Sequence, residues 1–544
     1  MTPAPFIDHH SVSGKDVHVD ESCQVLVVGA GPAGLSAAIE AASLGLGVIL
    51  VDENPVPFTT MGEDVPLHYG NAMSGLARNR NAMMEAFVAS EPGIERAFDA
   101  GVDVRLATSV WGLYGNGESV AWLPGLVAGL SDGERTWLVG CERVIVATGR
   151  RDMGLAFPGW LKPGVLGATA AQQLATRYGA IEATAVVLLG TSAEALSAGL
   201  SLRAAGLRIA AVVEQAREPV GPSHLVEDLR AGGTEILTGH VVREALGLDR
   251  VEAVAVAALG ADGHVAEGAQ ERVIACDAVV LGVGATPVVD LLDSVGCKVA
   301  FQPERGGWAP VVGAGQATSN PHLLVAGDAA GLWAEKTLDR TMAEREGRCA
   351  ARAVAASLTG SAPVPDDRRG PSSPTFDVGA YRLAWVLASV VEARAEPYVC
   401  QCEEVTAREI LEVRPPRYLG APPDRRNDRS LRGLLHDGPP HPDQVKRLTR
   451  AGMGPCQGRR CREQVSCLLA LGSQSALAEI PLAGYRAPVR PLSLSLTADR
   501  HEARAMTQHW DAWFGIAPQY RLAHELPSSY TVAHGNPGGP VASD

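Results

Sequence analysis

Apolar residues along this chain gather into short runs that end in glycine, interleaved with longer stretches of small and amphipathic residues. Residues 24–29, QVLVVG, form a β-branched run without alternation, as expected of a strand buried on both faces. An alanine-rich stretch, LSAAIEAASLG, follows and predicts a helix; GVILVD at 47–52 predicts a second strand. Strand patterns recur at RVIVATG (143–149), AVVLLG (185–190), GLRIAAVVE (206–214) and HLLVAGDAAG (322–331), and a helix is predicted over roughly 337–357. Alternation of this kind predicts α/β domains with parallel sheets. After Thr359 the pattern breaks. Residues 360–374, GSAPVPDDRRGPSSP, read as a linker, and YRLAWVLASVVEARA predicts a helix leading to YVCQCEEVTAREI. The last stretch, 480–544, holds IPLAGYRAPVRPL, a predicted helix with Trp510 and Trp513, and a polar end.

Composition narrows the classes. The chain has 544 residues, long for one core and suited to several domains. Its net charge of -14 gives no general support for a nucleic-acid partner. The first twenty residues lack the apolar core of a secretory signal, and no apolar run reaches the length of a membrane span. Ten cysteines without a signal point to a reducing cytoplasm, where thiols bind metals or sit in cores. Cys23, Cys141, Cys276, Cys297, Cys349 and Cys467 are expected to be core thiols.

The first strand runs into Gly29-Ala30-Gly31-Pro32-Ala33-Gly34, a full GxGxxG, and the second ends at Asp52. Strand, glycine turn, helix, strand and acid stand in the order that binds a dinucleotide. Gly29 permits the tight turn, Gly31 lets backbone approach a pyrophosphate, and Gly34 lets helix and strand pack closely. Phosphates gather at the helix N-terminus. Asp52 is placed to accept from ribose hydroxyls, with Glu53 as the neighbouring alternative. A second unit lies between AVVLLG and Glu214, but its turn reads Gly190-Thr191-Ser192-Ala193-Glu194-Ala195. Ser192 obstructs close phosphate approach and Glu194 adds negative charge, so a structural role is expected rather than NAD(P) binding. No CxxC adjoins either unit, which argues against a dithiol mechanism of the thioredoxin-reductase kind.

Four cysteines stand apart: Cys400-Gln401-Cys402 and Cys456-Gln457-Gly458-Arg459-Arg460-Cys461. Lys446, Arg447, Arg450, Arg459 and Arg460 surround the second pair with positive charge, and three nearby glycines let amides turn toward sulfur. Zinc is the alternative ligand, although its sites usually space cysteines as C-x₂₋₄-C. Thiolate-only ligation beside a redox domain favours iron–sulfur.

VIVATG, FPGW at 157–160, PGVLGATAAQQL, VAGDAAG, CQCEEVT and GMGPCQGRRC together resemble the FAD/[2Fe–2S] subunit of heteromeric amine and amino-acid dehydrogenases. That family includes the A-type subunit of opine oxidase, the B-type subunit of hydrogen cyanide synthase and the α subunit of D-hydroxyproline dehydrogenase. The resemblance implies an α/β two-dinucleotide-binding-domain flavoprotein of Rossmann type, with a C-terminal bacterioferritin-associated-ferredoxin-like [2Fe–2S] domain. The implied FAD site is Gly29, Gly31, Ala33, Gly34, Asp52, Glu53, Val110, Thr148, Gly149, Gly327 and Asp328, with Asp328 on the ribityl chain. The implied cluster ligands are Cys400, Cys402, Cys456 and Cys461. An adenine nucleotide without a flavin is the alternative occupant. No residue is assigned a catalytic role, because the implied substrate oxidation lies on a glycine-oxidase-like flavoprotein β subunit. The resemblance further implies a small ferredoxin-like [2Fe–2S] protein as a possible partner. A self-contained NAD(P)H-dependent flavin/iron–sulfur oxidoreductase is the competing reading.

The expected organisation follows. Residues 1–20 form an N-terminal tail, and 21–155 with 285–360 the FAD-binding domain. Residues 156–284 form the second nucleotide-binding-like domain, and 361–395 the linker and helix. Residues 396–475 form the cluster domain, with a Pro/Arg-rich surface insert at 413–443, and 476–544 a C-terminal tail. Three departures from the family pattern stand out: Ser192, the length of that insert, and DENPVPFTTMGEDVPLHYGNAM in place of a Gly-Gly-Gln stretch.

Overall fold

The computed structural model describes residues 18–56, 79–116, 123–266, 268–361, 370–371, 373–416 and 430–498. Residues 57–73 of the segment that replaces Gly-Gly-Gln, the middle of the linker, the middle of the Pro/Arg insert, and Trp510 and Trp513 all fall outside the described residues.

Strand β1 (Glu21–Val28), helix α1 (Pro32–Ser43) and β2 (Val48–Val51) form the first βαβ unit. With β3 (Asp103–Arg105), β4 (Ser109–Tyr114), β5 (Leu126–Ser131) and β6 (Thr136–Val146), they build a sheet ordered β3-β2-β1-β6-β5-β4. The β3, β2, β1 and β6 neighbours run parallel, whereas β4, β5 and β6 form an antiparallel flap. Strand β6 begins well before the predicted RVIVATG. Its first half, TWLVGC, alternates in burial where it pairs with β5, so an all-apolar pattern finds only the second half.

β7 (Arg150–Asp152) leaves this sheet as a hinge. β8 (Val165–Gly167), helix α2 (Ala168–Thr176), β9 (Ala185–Leu189), helix α3 (Ala193–Ala204), β10 (Arg208–Glu214) and β11 (Glu235–Thr238) begin the second unit. An antiparallel sheet, β12 (His240–Leu246), β13 (Ala253–Ala258) and β14 (Arg272–Ala275), packs beside it. β15 (Ala278–Leu281) completes a parallel sheet ordered β11-β10-β9-β15-β8. β16 (Ala285–Pro287) then pairs antiparallel with β7, closing the hinge.

After a hairpin of β17 (Val299–Gln302) and β18 (Gly307–Pro310), strand β19 (Leu323–Val325) returns to β6 in parallel. The helix predicted over 337–357 is two helices. A short one, Ala334–Leu338, stops at Asp339, whose carboxylate accepts from Thr341 N (3.0 Å) and caps α4 (Arg340–Thr359). Helix α4 lies hard against α1: a β-carbon on Gly347 would sit 2.0 Å from the Ala33 carbonyl oxygen.

Helix α5 (Val378–Val386) ends in a wider π-type turn over Leu387–Val391. β20 (Tyr398–Cys400) and β21 (Val405–Thr406) form a hairpin, and helices α6 (Leu431–Asp437), α7 (Pro442–Thr449) and α8 (Arg462–Ser473) follow. Helix α6 corrects one expectation. The insert at 413–443 is not all surface loop, because Leu431 and Leu434 are spaced to share a helix face and both are buried. This C-terminal part docks on the hinge through directed bonds. Gln464 Oε1 accepts from Ala156 N (2.8 Å), Thr286 Oγ1 donates to Glu463 (3.1 Å), and Trp160 Nε1 donates to Tyr398 O (2.9 Å). Cys141, Cys276, Cys297, Cys349 and Cys467 are buried and Cys23 half-buried. Among the described residues, no helix is long and apolar enough to cross a membrane.

Candidate functional site

The C-terminal ends of β1, β2 and β6 open onto one cavity of about 310 Å3. Gly29 and Gly31 line it from the glycine turn, and Asp52 and Glu53 from the end of β2. Val110, Thr148, Gly149 and Asp328 line it from β4, the end of β6 and the turn after β19. Ala33, Gly34 and Gly327 stand behind the cavity wall. A β-carbon on Gly34 would lie 1.8 Å from the Gly29 carbonyl oxygen, so only glycine lets α1 start this close to β1. Gly29 itself has φ +108, and a β-carbon there would lie 2.3 Å from Ala147 O. Gly31 differs: a β-carbon there would meet nothing within 4 Å, because the position faces open space. Pro32 occupies the first turn of α1 and no side chain caps the helix. Bare backbone and a helix N-terminus therefore meet at the cavity, an arrangement that favours an anion.

Asp52 accepts from Ala30 N (2.5 Å), Asn54 N (2.7 Å) and Asn54 Nδ2 (2.9 Å). Its carboxylate thus ties the glycine turn to the end of β2 as well as facing the cavity; burial pushes its carboxyl up. Glu53 is engaged by Arg490, whose Nε lies 2.6 Å from Oε2. Burial pushes the Glu53 carboxyl up, but Arg490 outweighs it and holds the group below its ordinary range. Asp290 pairs with Arg151 (2.7 Å) and Arg490 (3.3 Å), which against burial hold it down at about 2. Sequence reasoning named Glu53 but missed Arg490, Asp290 and Arg151 around it. Arg490 lies in the segment expected to be a tail, and a lone arginine among prolines carries no signal.

The Gly327-Asp328 turn is fixed from behind by an ion pair that reasoning from motifs also missed. Lys336 Nζ donates to Gly327 O (2.8 Å) and lies 3.3 Å from Glu346, while Glu346 accepts from Gly327 N (2.8 Å). Both side chains are buried; burial pushes Lys336 down and Glu346 up. Asp328 faces the cavity, with Arg150 3.5 Å away. No residue of α4 lines this cavity.

The second unit repeats the fold with a different interior. Gly190 has φ +94 and its β-carbon position is 2.4 Å from Gly282 O, as tight as Gly29. Ser192 caps α3, accepting from Ala195 N (3.3 Å), and Glu194 accepts from Thr337 Oγ1 (3.1 Å). Glu214, the acid at the end of β10, has no exposure. It accepts from Thr191 Oγ1 (2.5 Å), Tyr381 OH (2.8 Å) and Ala216 N (2.8 Å). The Tyr381 hydroxyl, from α5, reaches within 3.2 Å of the Gly190 β-carbon position. The turn and acid that would take pyrophosphate and ribose are spent on the protein's own groups.

The four cysteines meet in two pairs. Cys402 lies beside Cys456 and Cys461 beside Cys400, across a hairpin and a loop far apart in sequence. Gly452 N donates to Cys400 Sγ (3.3 Å). The Cys402 hydrogen bond, helped by backbone amides and Arg459, pushes the Cys456 thiol down to about 5 despite burial. A β-carbon on Gly454 would lie 2.3 Å from Cys402 Cβ, so glycine admits the loop to the hairpin. Of the predicted basic residues, Arg450 pairs with Glu403 (2.8 Å) and Arg459 donates to Cys456 O (3.2 Å). Cys467 lies in the core of α8 with its thiol pushed up to about 12 by burial. Among the described residues, no group of three or more His, Cys, Asp or Glu side chains is arranged to hold a metal ion.

Residues 23–355 match the family described as pyridine nucleotide-disulphide oxidoreductase. The chain is 28% identical to the A-type subunit of opine oxidase from Agrobacterium tumefaciens (strain Ach5), over 89% of this chain and 93% of that protein. It is 28% identical to hydrogen cyanide synthase subunit HcnB of Pseudomonas aeruginosa, over 80% of this chain and 90% of that protein. The fold is similar to that of L-proline dehydrogenase from P. horikoshii. The TM-score is 0.56 at 19% identity, covering 88% of this chain and 80% of that one.

Proposed function

The chain belongs to the pyridine nucleotide-disulphide oxidoreductase family, and from that premise we propose that it is the electron-transfer FAD/[2Fe–2S] subunit of a heteromeric amine, imino-acid or opine dehydrogenase. The observation that carries this reading is a contrast within one chain: an open first nucleotide unit, a second unit plugged by Tyr381, and four paired thiols. A protein fed by reduced nicotinamide needs the second unit open. One fed by a partner does not. Similarity to HcnB and to the opine oxidase protein, both named as subunits, supports a partner. The partner of this reading is a glycine-oxidase-like flavoprotein.

The residues present fit both groups. Gly31 leaves its backbone bare to the cavity, α1 presents its N-terminus, and Thr148, Gly149 and Asp328 line the same space. These residues would hold FAD. Four cysteine thiols brought together from a hairpin and a loop, with basic residues beside them, suit a thiolate-ligated iron–sulfur cluster. Cys400, Cys402, Cys456 and Cys461 would hold it, with the Gly452 amide turned toward sulfur. When bound, the flavin exchanges electron pairs for single electrons and the cluster carries single electrons. The chain's own residues position and shield. Asp52 ties the glycine turn, Lys336 and Glu346 hold the Gly327-Asp328 turn, and Gln464 and Glu463 clamp α8 onto the hinge between the two regions.

The test is to express the chain with its neighbour-encoded subunits and follow dye reduction across opines, proline derivatives and glycine. Activity is expected from the assembled complex and none from this chain alone. Released cofactor and iron are quantified on the same preparation; zinc in place of iron, or an adenine nucleotide in place of FAD, would overturn that part of the assignment.

A further inference from the structure

A second cavity, of about 240 Å3, lies between the hinge and the cysteine loop. It adjoins the dinucleotide cavity, and the Glu53–Arg490 ion pair lines both. The lining of the second cavity combines two kinds of chemistry. One is apolar, made by Met153, Trp160, Val165, Leu166 and Leu281. The other is cationic: Arg151 from β7, Arg459 and Arg460 from the cysteine loop, and Arg490 from the C-terminal segment. Four guanidiniums from three separate segments meet here in a chain whose net charge is -14. Two carboxylates also line the space. Glu53 is turned to Arg490, and Asp152 is turned to the α2 amides, accepting from Thr169 N (2.9 Å) and Ala170 N (3.2 Å). The guanidiniums are held in place. Arg151 pairs with Asp290, Arg459 donates to Cys456 O, and Arg460 bonds Gln401 and lies over the Trp160 ring at 5.1 Å. Prepositioned guanidiniums beside apolar side chains are the complement of an organic anion, because they offer forked donors to a carboxylate or phosphate without reorganising.

We propose that this cavity is a binding site for a small organic anion, with its carboxylate or phosphate on the arginines and its apolar body against Trp160 and Leu166. The site goes beyond the electron-transfer reading and stands without it. It lies beside both the dinucleotide cavity and the cysteine loop, so an occupant would touch the walls of each.

The test uses the full chain with its own cofactors retained, titrated calorimetrically with phenyl phosphate, benzoate, inorganic phosphate and neutral phenol. Phenyl phosphate or benzoate should bind and phenol should not; the tighter of the two identifies the oxyanion. Arg460→Gln should weaken that binding about tenfold, the worth of one charge-assisted hydrogen bond. Ala170→Leu, which fills the cavity from a half-buried position on α2, should abolish it. Dinucleotide content, measured separately, should stay at the parent level in both variants. Failure of both anions to bind, binding untouched by either variant, or displacement of the dinucleotide by phenyl phosphate would each overturn the proposal. None of these results depends on whether the dinucleotide is FAD.

Discussion

The two βαβ units of this chain share a backbone plan and diverge in what fills it. Each has a parallel strand, a left-handed glycine whose β-carbon position nearly touches a neighbouring carbonyl, a helix and a second strand ending in an acid. In the first, that acid faces a cavity and ties the glycine turn. In the second, Glu214 is buried under Thr191 and Tyr381. The glycine that builds the turn is therefore present in both units, whereas the glycine that leaves the turn open is present only in the first. Gly190 matches Gly29, but Ser192 stands where Gly31 does. The lesson is that glycines of one motif answer to different physics: Gly29, Gly34 and Gly190 to close packing, Gly31 to the open space of the cavity.

That distinction can be broken experimentally. Gly31→Val places a branched side chain in the open space at the phosphate turn, so dinucleotide binding should be lost while the thermal midpoint of the apo chain barely moves. Retained cofactor in this variant would place the site elsewhere. In the second unit, Ser192→Gly should restore no NAD(P)H binding, because Tyr381 still occupies the site; equilibrium dialysis checks this.

The next effect is on the support behind the first unit. Glu346→Ala leaves Lys336 buried without its carboxylate and should cost about 3 kcal/mol or more of stability, read by urea denaturation. It should also loosen the cofactor through the Gly327-Asp328 turn. Unchanged stability would mean that the pair does not hold the turn.

Smaller still is the plug. Tyr381→Phe removes one hydrogen bond to a buried carboxylate and should cost about 1 to 2 kcal/mol. The smallest effect is one of pH. Burial pushes the Glu214 carboxyl above its ordinary value of 4.5. The stability this group contributes is full below 4.5 and is lost as pH rises through the raised value. Glu214→Gln removes the loss, so the variant should gain on the parent as pH rises and match it more nearly in acid. Parallel stability–pH curves would show that Glu214 is not buried as described.

Much of this contrast is legible in the chain itself, for a local reason. Gly29 to Gly34 and the strands around them interact with near neighbours, so their spacing carries the geometry. Ser192 and Glu194 likewise announce a weakened turn. The plug does not announce itself. Tyr381 reaches Glu214 across 167 residues, and nothing in YRLAWVLASVVEARA marks one tyrosine for that contact. Arg490 is hidden in the same way, since its partner Glu53 lies 437 residues earlier. The long helix reads as continuous because Asp339 caps from within an otherwise helical pattern. Leu431 and Leu434 are masked by the prolines and arginines around them.

The central claim is that only the first unit takes a cofactor, and that electrons do not arrive from a nicotinamide in the second. Rapid mixing of the full, cofactor-bearing chain with stoichiometric NADH or NADPH, followed in the visible flavin band, tests it most directly. The expected result is no bleaching by either nucleotide, with bleaching once the amine substrate and the partner flavoprotein have both been supplied. Fast stoichiometric bleaching of the isolated chain by either nucleotide would contradict the claim.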